Sequence, residues 1–74
     1  MEGFNATEMA KRIRALRKEK NVDQNTMARD IDISNASVSY WETGKQIPSA
    51  EAVFKMAIYF NVSADYILGI TEEI

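Results

Sequence analysis

SNASVSYWETGK, Ser34 to Lys45, is the stretch on which the reading of this chain turns. Ser34 is a residue type that starts helices, and Gly44 is the type that stops them. Between them, Val38 and Trp41 stand three residues apart and so share one helix face. The remaining side chains, Asn35, Ala36, Ser37, Ser39 and Tyr40, are small or polar. A short helix rooted by two large apolar anchors is built to present that outer face, firmly aimed, to something specific.

Working outward, no strand pattern of useful length emerges, and five short helices fit the chain. The first runs from about Thr7 to Lys20, with Asn5 or Thr7 as its cap. Glu8 lies three residues beyond Asn5, as in a capping box. Met9, Ile13 and Leu16 make its apolar stripe, and Asn21 tolerates the left-handed turn that ends it. The second runs from about Gln24 to Ile31 behind Asp23, with Met27, Ala28 and Ile31 inward. Ala28 is small, as a close crossing of two helices requires. Asp32 falls where a left-handed residue is needed, which glycine would adopt more easily. The third helix follows Ser34 and ends near Glu42 or Thr43. The fourth, about Ala50 to Phe60 behind Ser49, has Ala50, Val53, Ala57 and Phe60 as its inner stripe with Met56 beside it. The fifth, about Ala64 to Leu68, starts after Ser63 and stops at Gly69, with Val62, Ile67 and Leu68 closing the core. The expected architecture is all-α and compact: an arm over 1–6, a domain over 7–69 and a tail over 70–74, where Glu72 and Glu73 are solvated.

The composition narrows the function. With 74 residues and 46% apolar content, one small core is possible. The absence of cysteine and histidine removes disulfides, the commonest metal ligands and the usual general base. There is no phosphate-binding glycine loop, so neither an enzyme nor a cofactor or metal site is expected. No apolar run is long enough to span a membrane, and no signal-peptide pattern opens the chain, so a cytoplasmic protein is expected. The net charge is −2, yet it is unevenly spread. Lys11, Arg12, Arg14, Arg17, Lys18 and Lys20 crowd the first helix, whereas Glu51, Asp65, Glu72 and Glu73 dominate the later part.

Two short helices joined by a tight turn, the second carrying small polar side chains, form a helix-turn-helix. The ordered combination of Gln24, Ala28, Ser34, Val38, Trp41-Glu42, Gly44-Lys45 and Pro48-Ser49 resembles the lambda-repressor-like family of the Cro/C1, or Xre, type, over about Met9 to Gly69. The resemblance implies a regulator, expected to be a repressor, that binds a double-stranded DNA operator with the third helix in the major groove. It places base contacts at Asn35, Ala36, Ser39 and Tyr40. Asparagine is able to bond adenine in two places, and an alanine methyl to touch that of thymine. It also implies that Gln24 clamps a phosphate and touches Asn35, and that Glu42 pairs with Arg17. It further implies that Ser37 faces the phosphates, and that Thr43, Gly44 and Lys45 hold the other strand through backbone N–H groups and the lysine. Arg14 and Lys18 are further phosphate candidates. Asp30 and Asp32 bring opposing charge close to the DNA side.

One reader helix covers only a few base pairs, so a homodimer is expected. Phe54, Ile58, Tyr59, Tyr66, Ile70 and Ile74 are more apolar side chains than one inner stripe needs, either for self-association or to cap a small core. The chain is either a complete small regulator or the N-terminal piece of a longer one. Two other functions share this reading: an antitoxin whose acidic late surface binds a toxin, or a module for protein partners such as an anti-repressor that kept the fold without DNA binding.

Overall fold

The ends of the helices explain where the chain breaks. In the computed structural model, which describes residues 3–74, the helices are α1 (Ala6–Glu19), α2 (Gln24–Asp30), α3 (Asn35–Thr43), α4 (Ala50–Phe60) and α5 (Ala64–Leu68). Each opens on a side-chain oxygen that accepts the N–H three residues on: Asn5 from Glu8, Asp23 from Thr26, Ser34 from Ser37, Ser49 from Ala52 and Ser63 from Tyr66. The serine caps are worth about 1 kcal/mol each. Only half of the expected capping box forms at α1, because the Glu8 carboxylate turns to Lys11 at 3.6 Å. The Thr26 N–H holds the Asp23 carboxyl below its ordinary range. That cap therefore contributes above the unfolded carboxyl pKa and weakens as pH falls through the depressed one.

Left-handed residues make the stops. Gly44 has φ 78° and Gly69 has φ 87°. Asn21 (62°), Asp32 (59°) and Asn61 (55°) do the same with side chains that tolerate the conformation. Asp32 takes the backbone shape expected of it at the α2–α3 turn.

α3 lies across α1 and α2, while α5 packs on both α1 and α4. Ile13, Met27, Val38, Met56 and Ile67 are fully enclosed, with Ala28 among them. No buried side-chain nitrogen or oxygen among the described residues lacks a partner. No helix among them is long and apolar enough to cross a membrane.

The inner stripe of α4 differs from expectation. Ala52, Val53 and Met56 are buried, whereas Ala50 is exposed and Ala57 only half-buried. The helix is rolled so that its buried side centres on Val53 and Met56, which draws Ala52 inward and leaves Ala50 on an open flank. Two contacts tie distant segments together. Arg12 donates through Nη1 to the carbonyls of Tyr66 (2.9 Å) and Thr71 (3.1 Å), and its guanidinium lies 4.5 Å from the centre of the Tyr66 ring. Its Nη2 reaches Glu72 at 2.9 Å, so that carboxylate is paired, although it remains 90% exposed and the bond is correspondingly weak.

The second tie is Tyr59, whose hydroxyl donates to Asp30 Oδ2 at 2.7 Å and joins α4 to the last residue of α2. Burial and the Asp30 carboxylate push the Tyr59 phenol up to about 12. A raised phenol pKa favours the protonated group in the folded state. Its stabilisation is full below about pH 10, the unfolded value, and is lost as pH rises through the folded one. Denaturant midpoints measured against pH should therefore fall through this alkaline window, and Tyr59→Phe should fall less steeply than the wild type there.

Candidate nucleic-acid interface

The aim of α3 is set from beneath. Val38 is 0% and Trp41 6% exposed. On the other side Asn35 and Ala36 are exposed, Ser39 is half-buried, and Tyr40 is 38% exposed. Lys45 lies beside them, its ammonium 5.6 Å from the centre of the Tyr40 ring.

Two side chains that anchor on the core can still roll about the helix axis, and the next residue prevents this. Glu42 Oε2 accepts from Arg17 Nε at 2.6 Å, and Glu42 Oε1 accepts from Arg17 Nη2 at 3.0 Å and from Gln24 Nε2 at 3.2 Å. Arg17 Nη1 donates to the Val22 carbonyl at 2.9 Å. The side chains of Arg17 and Glu42 are only 11% and 3% exposed. The Glu42 hydrogen bonds raise the Arg17 pKa against the opposing effect of burial, so the guanidinium keeps its charge. The Arg17–Glu42 pair thus joins α1, the α1–α2 turn, the start of α2 and the end of α3.

Several residues assigned to DNA from sequence make hydrogen bonds within the chain. Gln24 turns its amide to Glu42 and not to Asn35. The N–H groups of Gly44 and Lys45 are spent on the carbonyls of Trp41 (3.4 Å) and Tyr40 (2.9 Å), and that of Gln46 reaches Tyr40 at 3.3 Å. A glycine stop uses those donors to satisfy the last carbonyls of the helix. The Thr43 hydroxyl donates back to the Ser39 carbonyl at 3.0 Å, while the Lys45 side chain is exposed. The hydroxyls of Ser37 and Ser34 lie 2.8 Å apart, so Ser37 is engaged within the helix start. Arg14 and Lys18 are exposed on one outer face of α1. Asp30 is held by Tyr59, and Asp32 is exposed. The bridging roles of Gln24 and Arg12 have no signal in sequence spacing.

Against known families, a helix-turn-helix model matches residues 13–67. The chain belongs to the Cro/C1-type helix-turn-helix family. Among its relatives, the HTH-type transcriptional activator BcrR of Enterococcus faecalis is 31% identical over 84% of this chain and 30% of its own length. Repressor protein C2 of Salmonella phage P22 is 31% identical over 88% of this chain and 30% of its own. The HTH-type transcriptional regulator ImmR of Bacillus subtilis is 30% identical over 82% and 48%. The chain thus spans less than half the length of each. The crystal structure of the P22 c2 repressor with synthetic operator 9T matches at a TM-score of 0.78 and 32% identity, over 81% of this chain and 91% of that one. Helix-turn-helix regulators, not enzymes, surround it in these comparisons.

The bridge makes its own prediction. Removing either partner leaves a buried charge uncompensated, so Arg17→Met or Glu42→Leu alone should lower the unfolding free energy by about 3–5 kcal/mol. The double variant should recover most of the loss, as read from urea titrations of all four proteins.

Proposed function

We propose that the protein is a sequence-specific double-stranded DNA-binding repressor that acts on its operator as a homodimer, with α3 in the major groove. One observation carries this: Asn35, Ala36 and Tyr40 stand open on a helix whose opposite face is sunk in the core, in a fold that matches an operator-bound repressor. Asn35, Ala36, Ser39 and Tyr40 read base edges. Asparagine offers adenine a paired donor and acceptor, and the Ala36 methyl offers thymine an apolar contact. Lys45 holds one phosphate strand. Arg14 and Lys18 add long-range attraction, and the first residues of α2, beginning at Gln24, face the other strand.

The overall negative charge does not oppose this, since association follows the local field. The exposed carboxylate of Asp32 weakens that field, and the pairing of Asp30 with Tyr59 draws a second carboxylate toward α4. Two copies on half-sites one helical turn apart compensate for the short reach of a single α3.

Selection from random duplex DNA, followed by binding titrations across salt, tests the proposal. The selected site should show two symmetric half-sites with centres about 10 base pairs apart, or a multiple of that. Asn35→Ala should cost about 1–3 kcal/mol and relax preference at one base position. Lys45→Gln should weaken binding to all sequences alike and lower the salt slope by about 1. No enriched sequence, and no binding even at low salt, would overturn it in favour of a module for protein partners.

A further inference from the structure

Lys45 follows the helix stop at Gly44, whose φ of 78° turns the chain away from α3, and it precedes Pro48, which is buried. Its backbone is therefore fixed on both sides. The Tyr40 carbonyl accepts the N–H of Lys45 at 2.9 Å and that of Gln46 at 3.3 Å, and the Thr43 hydroxyl donates to it at 3.4 Å. Tyr40 thus closes the loop through its own backbone, and its side chain acts on the same neighbour. The Lys45 ammonium lies 5.6 Å from the centre of the Tyr40 ring, within the range at which an aromatic face attracts a cation. Of the three cation–ring contacts among the described residues, this one alone involves α3. Both residues are exposed, and Lys45 makes no ion pair among the described residues.

We propose that Tyr40 is a positioning residue for Lys45: its ring holds the ammonium ready for a phosphate of the DNA backbone, so that one side chain serves both base reading and phosphate binding. This rests on the operator-binding reading above. A lysine carries its charge on a flexible four-carbon stem, and ordering that stem on a phosphate costs rotamer entropy. A ring that already restricts the ammonium removes part of that cost before DNA arrives. An exposed contact of this kind is worth only a few-fold in an equilibrium. It restricts the ammonium without burying it, so the charge stays available. The ammonium occupies the ring face and leaves the hydroxyl and the ring edge for bases. Tyr40 then contributes to the binding of any duplex through Lys45, and to the selected site through its own contacts as well. A residue that only reads bases contributes to the second alone.

Ring-current shifts in the free protein and a double-mutant cycle on DNA test this. In the wild type the Lys45 Cε protons should resonate upfield of their position in Tyr40→Leu, and Tyr40→Phe should restore the upfield shift. On a duplex of unrelated sequence at low salt, Tyr40→Leu should weaken binding by about two- to fivefold. Tyr40→Phe, which keeps the ring and loses the hydroxyl, should recover that loss. In the Lys45→Gln background, Tyr40→Leu should have no effect on the same duplex. A merely structural loss at Tyr40 would appear in both backgrounds. Equal losses with and without Lys45, no loss on the unrelated duplex, or no recovery in Tyr40→Phe would each overturn the proposal. An upfield shift with no binding to any duplex at any salt would sink the operator reading and this role with it. Selective binding with neither the shift nor the coupling would sink this role alone and leave the reader standing.

Discussion

The carboxylate of Glu42 holds three separate segments of this chain in one place. It sits one residue beyond Trp41, at the end of the helix whose pose matters most, and takes three hydrogen bonds from Arg17 and Gln24. Burial of Val38 and Trp41 decides which side of α3 faces inward but leaves some freedom to roll. The planar match between a guanidinium and a carboxylate removes that freedom, because both N–H vectors must be satisfied at once. Desolvation offsets much of the Coulomb gain of such a pair, so its contribution is orientation more than net stability. The same guanidinium holds the Val22 carbonyl, which fixes where α2 begins.

Charge is arranged around that scaffold in a way the total conceals. The cations of the outer α1 face and of Lys45 are solvated, while those of Arg12 and Arg17 are used inside the molecule. Arg12 gathers the end of α5 and the following residues against α1. Of the two aspartates at the α2–α3 turn, Asp30 is bound by Tyr59, and Asp32 provides the left-handed link. Glycine would supply the same φ without the charge.

What could be read from the sequence was mostly local. Asp23, Ser34, Ser49 and Ser63 mark helix starts because their oxygens bond an N–H three residues away, and Asn21, Asp32, Gly44 and Gly69 mark stops through their own φ preferences. Val38 and Trp41 were legible as anchors from spacing alone. The roll of α4 was not, since Ala50-Val53-Ala57 and Ala52-Val53-Met56 are stripes separated by a modest rotation, and only packing against α5 and the rest of the core selects one. The use of the Gly44 and Lys45 N–H groups by the helix stop is implicit in the glycine. The grip of Gln24 on Glu42, of Arg12 on Thr71 and of Tyr59 on Asp30 joins residues far apart in the chain, where no periodicity reports on them. Arg17 and Glu42 were matched through family resemblance, not through spacing.

The central claim is that a clamped α3 meets the DNA with the face opposite Val38 and Trp41. Its most direct test is an amide and side-chain chemical-shift titration of the wild-type protein with its selected operator. The account predicts that the largest changes fall on Asn35, Ala36, Ser39 and Tyr40, with smaller ones at Gln24 and Lys45 and none at the Arg17 side chain. Changes confined to α4, α5 or the acidic later surface, with α3 silent, would contradict it.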